Sequence, residues 1–195
     1  MIYICGDSFA VSDKDYPETT PWHERLPNTV NLARVCASNF LIHQQVLQAI
    51  KAQADYIIVL FTSSLRSELK INDKLIPFSW LSLDNTTPFS QEQLSILRNY
   101  YTLVDIDTEI QKNKILIEST LQALVDSRIS FKFDQGGFEH PSYGGVSTYF
   151  NKYNLYRSRY CLWDYAETRN HRPYFHITDN YIHEQVAEYF KEQLI

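Results

Sequence analysis

Ser8 follows an apolar run, Ile2-Tyr3-Ile4-Cys5, and a Gly6-Asp7 pair. A serine hydroxyl becomes a useful nucleophile at neutral pH only beside a base. The chain offers one in Pro173-Tyr174-Phe175-His176-Ile177-Thr178-Asp179, just before an amphipathic C-terminal run. A rival, His183, lies about one turn into that run and reads as a helix-surface histidine. Gly-Asp-Ser is also good turn chemistry. Its place after a first strand gives it more weight, because parallel α/β sheets bind ligands beyond the carboxyl ends of their strands. Gly6 is the only glycine in the first 135 residues, which suggests a backbone site needing positive φ or a close approach.

Placing Ser8 beside His176 requires a sheet. Ile2–Cys5 reads as the first strand and Thr29–Ala33 as a second. Ser38 can cap a helix running to about Ala54, with Ile42, Val46, Ala49 and Ile50 on one face. Tyr56–Phe61 is an unbroken apolar, β-branched run, the pattern of a strand buried on both faces. Residues 70–90 read as irregular. Helices are predicted over Ser90–Tyr101 and Ile106–Asp126, the latter with Ile110, Ile117, Leu121 and Leu124 on one face. Ile129–Phe133 reads as the last strand, and a helix from about Asp179 carries Ile182, Val186, Phe190 and Leu194 on one stripe. Strands alternating with helices imply an α/β fold, a three-layer α/β/α sandwich on a parallel sheet of about five strands. The 195 residues suit one domain spanning 1–195.

Composition removes some functions. A net charge of −5 argues against general nucleic-acid binding, which depends on neutralising phosphates. No window approaches the ~18 apolar residues of a membrane span, and the N-terminus lacks a signal-peptide pattern. Three widely spaced cysteines, Cys5, Cys36 and Cys161, read as free thiols in a reducing compartment. The expected location is the cytoplasm, with association with a virion left open. A single glycine before residue 136 leaves no room for a Gly-rich phosphate loop there. His140, His171, His176 and Cys161 match no ordinary zinc spacing, so no metal and no cofactor is expected.

The strand followed by Gly6-Asp7-Ser8 resembles block I of the SGNH/GDSL hydrolases, whose serine is the nucleophile. Phe175-His176-Ile177-Thr178-Asp179 is similar to block V, where a histidine precedes a Leu-Thr-Asp-like helix start. The resemblance implies an SGNH-hydrolase, flavodoxin-like sandwich that hydrolyses an ester or O-acyl group, such as an O-acetyl, through an acyl-Ser8 intermediate, with His176 as general base. The family's orienting aspartate stands three residues before the histidine, where this chain has Pro173. Asp179, Asp164, a backbone carbonyl or no group at all remain for that role; a carbonyl or Asp179 is expected, and Asp179 stands with Ser8 and His176 as the expected catalytic set. Asp179 also reads more simply as a helix N-cap. The family's oxyanion hole takes the nucleophile's N–H, a block II glycine N–H and a block III asparagine. Block II would be Asn31–Asn39, with Cys36 in the glycine position. After Phe61 the chain reads Thr62-Ser63-Ser64-Leu65-Arg66, where Ser63 or Thr62 would donate in place of the asparagine and Arg66 would add charge. Asp7, Cys36, Asn39, Ser63 and Arg66 are therefore the expected oxyanion and substrate-binding residues.

Residues 134–175 hold four of the five glycines and many aromatics, and read as a cap inserted over one sheet edge. Lys152–Arg172 carries five basic and two acidic residues among Tyr153, Tyr156, Tyr160, Trp163 and Tyr165. Such a mixture packs as a cap, or stacks on single strands or sugars. The expected partner is a small-molecule or carbohydrate ester, with a homo-oligomer or an assembly partner left open. A second class of function is an SGNH-like fold kept as a binding or structural module, for instance in a virion or surface assembly. The departures at Cys36, Ser63 and Pro173 motivate it.

Overall fold

A computed structural model of the 195-residue chain describes residues 1–12, 17–71, 73–79, 89–136, 153, 155–156, 158, 162, 177 and 179–194. Four strands form a parallel sheet in the order β2-β1-β3-β6: β1 (Ile2–Cys5), β2 (Thr29–Asn31), β3 (Tyr56–Phe61) and β6 (Ser130–Gln135). About five strands were expected, and four are found among the described residues. The antiparallel ribbon of β4 (Ser67–Ile71) and β5 (Lys74–Phe78) corrects the irregular reading of residues 70–90. No unbroken apolar run marks the ribbon: β5 carries Pro77, and β4 carries Glu68 and Lys70.

Four helices complete the described fold: α1 (Asn39–Lys51), α2 (Gln91–Leu103), α3 (Ile106–Ser127) and α4 (Asn180–Glu192). Their starts follow cap chemistry, with Ser38 capping α1, Ser90 and Gln93 forming a capping box on α2, and Asp179 capping α4.

Because side chains alternate along a strand, β3 feeds two cores. Ile57, Val59 and Phe61 pack against Ile42, Val46 and Ala49 of α1 and Ile117, Leu121 and Leu124 of α3. Tyr56, Ile58 and Leu60 face the opposite way, toward Phe9, Trp22 and α4's Ile182, Val186 and Phe190. Helices thus cover both faces of the sheet. A smaller cluster joins the ribbon to α2 through Phe78, Leu94 and Leu97.

The strand order places the site. The chain leaves β1 toward β2 on one side, then returns across the sheet to β3 and β6 on the other. The order therefore reverses between β1 and β3. The crevice beyond their carboxyl ends is where ligands bind in open α/β sheets, and it is formed by the loop carrying Ser8 and the loop of residues 62–66.

Candidate functional site

Two glycines let the strand ends at this point pack closely. Gly6 does not adopt a left-handed φ. A Cβ there would lie 3.1 Å from Leu60 Cβ and 3.3 Å from the Leu60 carbonyl oxygen, so it is the close approach that calls for glycine. Gln45 of α1 holds the same residue at both ends. Its Oε1 accepts from the Gly6 N–H at 2.7 Å, and its Nε2 donates to the Gly6 carbonyl at 3.3 Å. Gly136, just past β6, is the second. Its added Cβ would meet Asp7 Oδ1 and Leu60 Cβ at 3.1 Å each. By sequence Gly136 reads as one of the cap's glycines, and its place directly after a strand, the same as that of Gly6, is the signal that singles it out.

Ser8 opens a 3-10 turn, Ser8–Ala10, and is itself buried. Asp7, fully buried, caps that turn by accepting from the Phe9 N–H at 3.0 Å. Its other oxygen accepts from the Thr62 hydroxyl at 2.7 Å and from Arg66 Nη1 at 2.8 Å. The Asp7–Arg66 ion pair is buried on both sides, with side-chain exposures of 0% and 6%. Asp7 therefore ties the Ser8 turn to the loop after β3.

That arrangement settles what three expected groups touch. Arg66 faces Asp7, and the Thr62 hydroxyl is given to the same carboxylate. Asn39, fully buried, pairs with the Thr62 backbone in both directions at 2.9 Å and donates to Asn113 Oδ1 at 2.9 Å. Its amide fixes the loop after β3 and is spent there. Ser63 is half-buried and its Oγ accepts from the Leu65 N–H at 3.2 Å, so the hydroxyl proton is still its to donate.

Cys36 is the telling departure. It has φ 60°, the left-handed conformation that favours glycine. Its turn lies beside the end of β1, because the Arg34 N–H donates to the Gly6 carbonyl at 3.2 Å. The backbone thus keeps a glycine-like conformation at a residue that is not glycine. Among the described residues, neither the Ser8 nor the Cys36 N–H donates to a protein acceptor.

His183 corrects the sequence reading. It is 6% exposed and faces inward from the first turns of α4. The Trp22 N–H donates to Nδ1 at 3.2 Å, so Nδ1 is an acceptor. Nε2 lies 3.1 Å from the Ile177 carbonyl, which can only accept. The two partners together require the neutral Nε2–H tautomer. Burial lowers the pKa from 6.5 to about 4; the Ile177 carbonyl opposes the shift, and Arg25 and His23 add to it. The helical stripe of Ile182, Val186 and Phe190 pointed to the core face, and His183 sits one residue along at its rim. His23 is also buried and shifted down by desolvation, and its Nε2 has no hydrogen-bond partner among the described residues.

Ser8, Phe9, Val11, Thr19, Pro21, Ile177 and His183 enclose a cavity of about 10 Å³, room for about one water. Asp179 is exposed and its carboxylate accepts from the Tyr181 N–H at 2.8 Å, as an N-cap does. His176, Pro173 and Asp164 lie outside the described residues, as do His140, His171, Cys161 and most of the 134–175 segment. Among the described residues, no group of three His, Cys, Asp or Glu could hold a metal ion, and no helix is long and apolar enough to cross a membrane. Compared with known proteins, the chain matches no family model and no curated sequence.

Proposed function

We propose that the chain is an SGNH/GDSL-type serine hydrolase that cleaves an ester or O-acyl bond through an acyl-Ser8 intermediate. One observation carries the reading: Ser8, at the sheet's switch point, shares a cavity with Ile177, the residue that follows His176 in the chain. In this mechanism Ser8 Oγ attacks the acyl carbon while His176 takes its proton. The tetrahedral oxyanion is met by the N–H groups of Ser8 and Cys36 and by the Ser63 hydroxyl. The intermediate collapses as His176 protonates the leaving alcohol, and water then releases the acid by the same route in reverse.

Loss of one side-chain oxyanion donor costs about 10²–10³ in kcat. Here a rotatable hydroxyl stands where the family has an asparagine, so turnover of p-nitrophenyl acetate is expected to be slow. Labelling with a fluorophosphonate probe tests the reading. The wild type should label slowly, and both Ser8→Ala and His176→Ala should abolish labelling, because the two groups act as a unit. Labelling that survives in Ser8→Ala would refute the nucleophile.

A second reading has its own support. Thr62, Arg66 and Asn39 are all committed to holding the loops together, which suits a fold kept as a binding or structural module. Folded wild type that never labels would favour it.

A further inference from the structure

Three hydrogen bonds link the nucleophile turn to the segment that enters α4. The Trp22 indole N–H donates to the Phe9 carbonyl at 2.9 Å, next to Ser8. The Trp22 backbone N–H donates to His183 Nδ1 at 3.2 Å. His183 Nε2–H donates to the Ile177 carbonyl at 3.1 Å. All of the residues involved are buried. One turn before His183, Asn180 fastens the same two segments: its Oδ1 accepts from the Thr20 N–H at 2.9 Å and from Arg25 Nη2 at 2.7 Å. The segment of residues 18–25 is thus strapped to α4 at two positions three residues apart, which lie on one helix face.

We infer that His183 is a positioning residue: through Trp22 on one side and Ile177 on the other, it sets the distance between the Ser8 turn and Ile177, the residue after His176 in the chain. The inference rests on the reading of Ser8 and His176 as nucleophile and base. Neither ring nitrogen is free to take the serine proton while both bonds hold, so His183 acts through the backbone it grips. Its neutral form is essential, because a protonated Nδ1 would point a proton at the Trp22 N–H. His23, Arg25 and Asp179 are the titratable or charged groups that bear on it. Misplacement of about 1 Å at a reacting pair costs as much as 10²-fold in rate, which sets the scale of the expected effect.

The two bonds can be separated. Glutamine places its amide near Nε2 and can still donate to Ile177; asparagine places its oxygen near Nδ1 and can still accept from Trp22. The measurements are the rate of fluorophosphonate labelling at Ser8 and the hydrogen exchange of the Trp22 amide, with circular dichroism confirming that each variant is folded. Labelling should fall about tenfold or more in His183→Ala, which keeps neither bond, and by less in His183→Gln and His183→Asn, which each keep one. Exchange at the Trp22 amide should rise in His183→Gln and His183→Ala and hold in His183→Asn. Wild-type labelling in His183→Ala would overturn the inference. So would a folded His183→Gln with no labelling at all, because His183 would then be the base itself. If the wild type does not label, the hydrolase reading fails and the positioning role fails with it. Trp22 exchange then decides whether the strap exists: an unchanged rate in His183→Ala would overturn it too.

Discussion

Replacing Arg66 by methionine keeps much of the side chain's bulk and removes the charge that faces Asp7. The ion pair is out of water, with 0% and 6% of the two side chains exposed. Removing one partner of such a pair leaves an uncompensated buried charge, at a cost of about 3–5 kcal/mol. Two of Asp7's three donors survive, the Phe9 N–H at 3.0 Å and the Thr62 hydroxyl at 2.7 Å, which places Arg66→Met near the lower end, about 3 kcal/mol. Thr62→Val removes one charge-assisted bond, about 1.5–3 kcal/mol. Asp7→Asn in the Arg66→Met background removes the stranded charge. The double variant should therefore be less destabilised than the two single changes summed, by about 1–3 kcal/mol. Urea unfolding with linear extrapolation measures the four proteins of the cycle and Thr62→Val, because domain stabilities of about 5–15 kcal/mol leave room for such losses. An Arg66→Met variant within 1 kcal/mol of wild type, or strict additivity in the cycle, would refute the claim that this pair fastens the Ser8 turn.

Four further outcomes follow from other residues. Cys36→Gly relieves a left-handed φ of 60° and should stabilise the protein by about 1 kcal/mol, read as a higher urea midpoint; a loss would show that the thiol's contacts outweigh the backbone strain. Gly136→Ala should destabilise by about 1–3 kcal/mol through its 3.1 Å approaches to Asp7 and Leu60, and a neutral result would show that the loop gives way freely. Glu68 is half-buried and accepts from the Ser38 hydroxyl; burial raises its pKa to about 7 from 4.5. The folded state therefore binds the extra proton between those values, and stability falls as pH rises through them. Glu68→Gln should gain about 1–2 kcal/mol on wild type at pH 8 and nothing at pH 4, after discounting for solvent, and equal effects at both would contradict this. His183 has the opposite sign. Its folded pKa of about 4 lies below 6.5, so the unfolded chain binds the proton first and stability is lost as pH falls from 6.5 toward 4, by about 2–3 kcal/mol. His183→Gln should flatten that limb of a thermal-melting pH profile, and an unchanged acid limb would argue that His183 is not the group responsible.

Much of the scaffold was legible in the residues because its signals are local. An unbroken apolar run such as Tyr56–Phe61 needs cover on both faces wherever it lies, and a serine or aspartate before an amphipathic run caps a helix by reaching only two or three residues ahead. β1, β3, and the starts of α1, α2 and α4 followed from that. Gly6 and Ser8 were legible for the same reason: a glycine and a serine directly past a strand stand where a parallel sheet presents its chemistry. The ribbon of β4 and β5 escaped, since its strands are paired by register with each other and carry charges and a proline that no periodicity test rewards.

What side chains do across the chain was decided only by the tertiary structure. Arg66 beside the crevice reads as a spare positive charge. Folding brings Asp7 within 2.8 Å of it, and a buried carboxylate then claims it, because a buried charge left unpaired is strongly destabilising. Asn39 was claimed in the same way by the Thr62 backbone. His183 reads as a surface residue because it stands one place off the apolar stripe. Its burial depends on Trp22, 161 positions away in the chain, and on the loop that folds back to meet it. A sequence can show which groups would need a partner once buried. Which partner each one receives is set by the strand order, since that order alone decides which loops meet at the switch point.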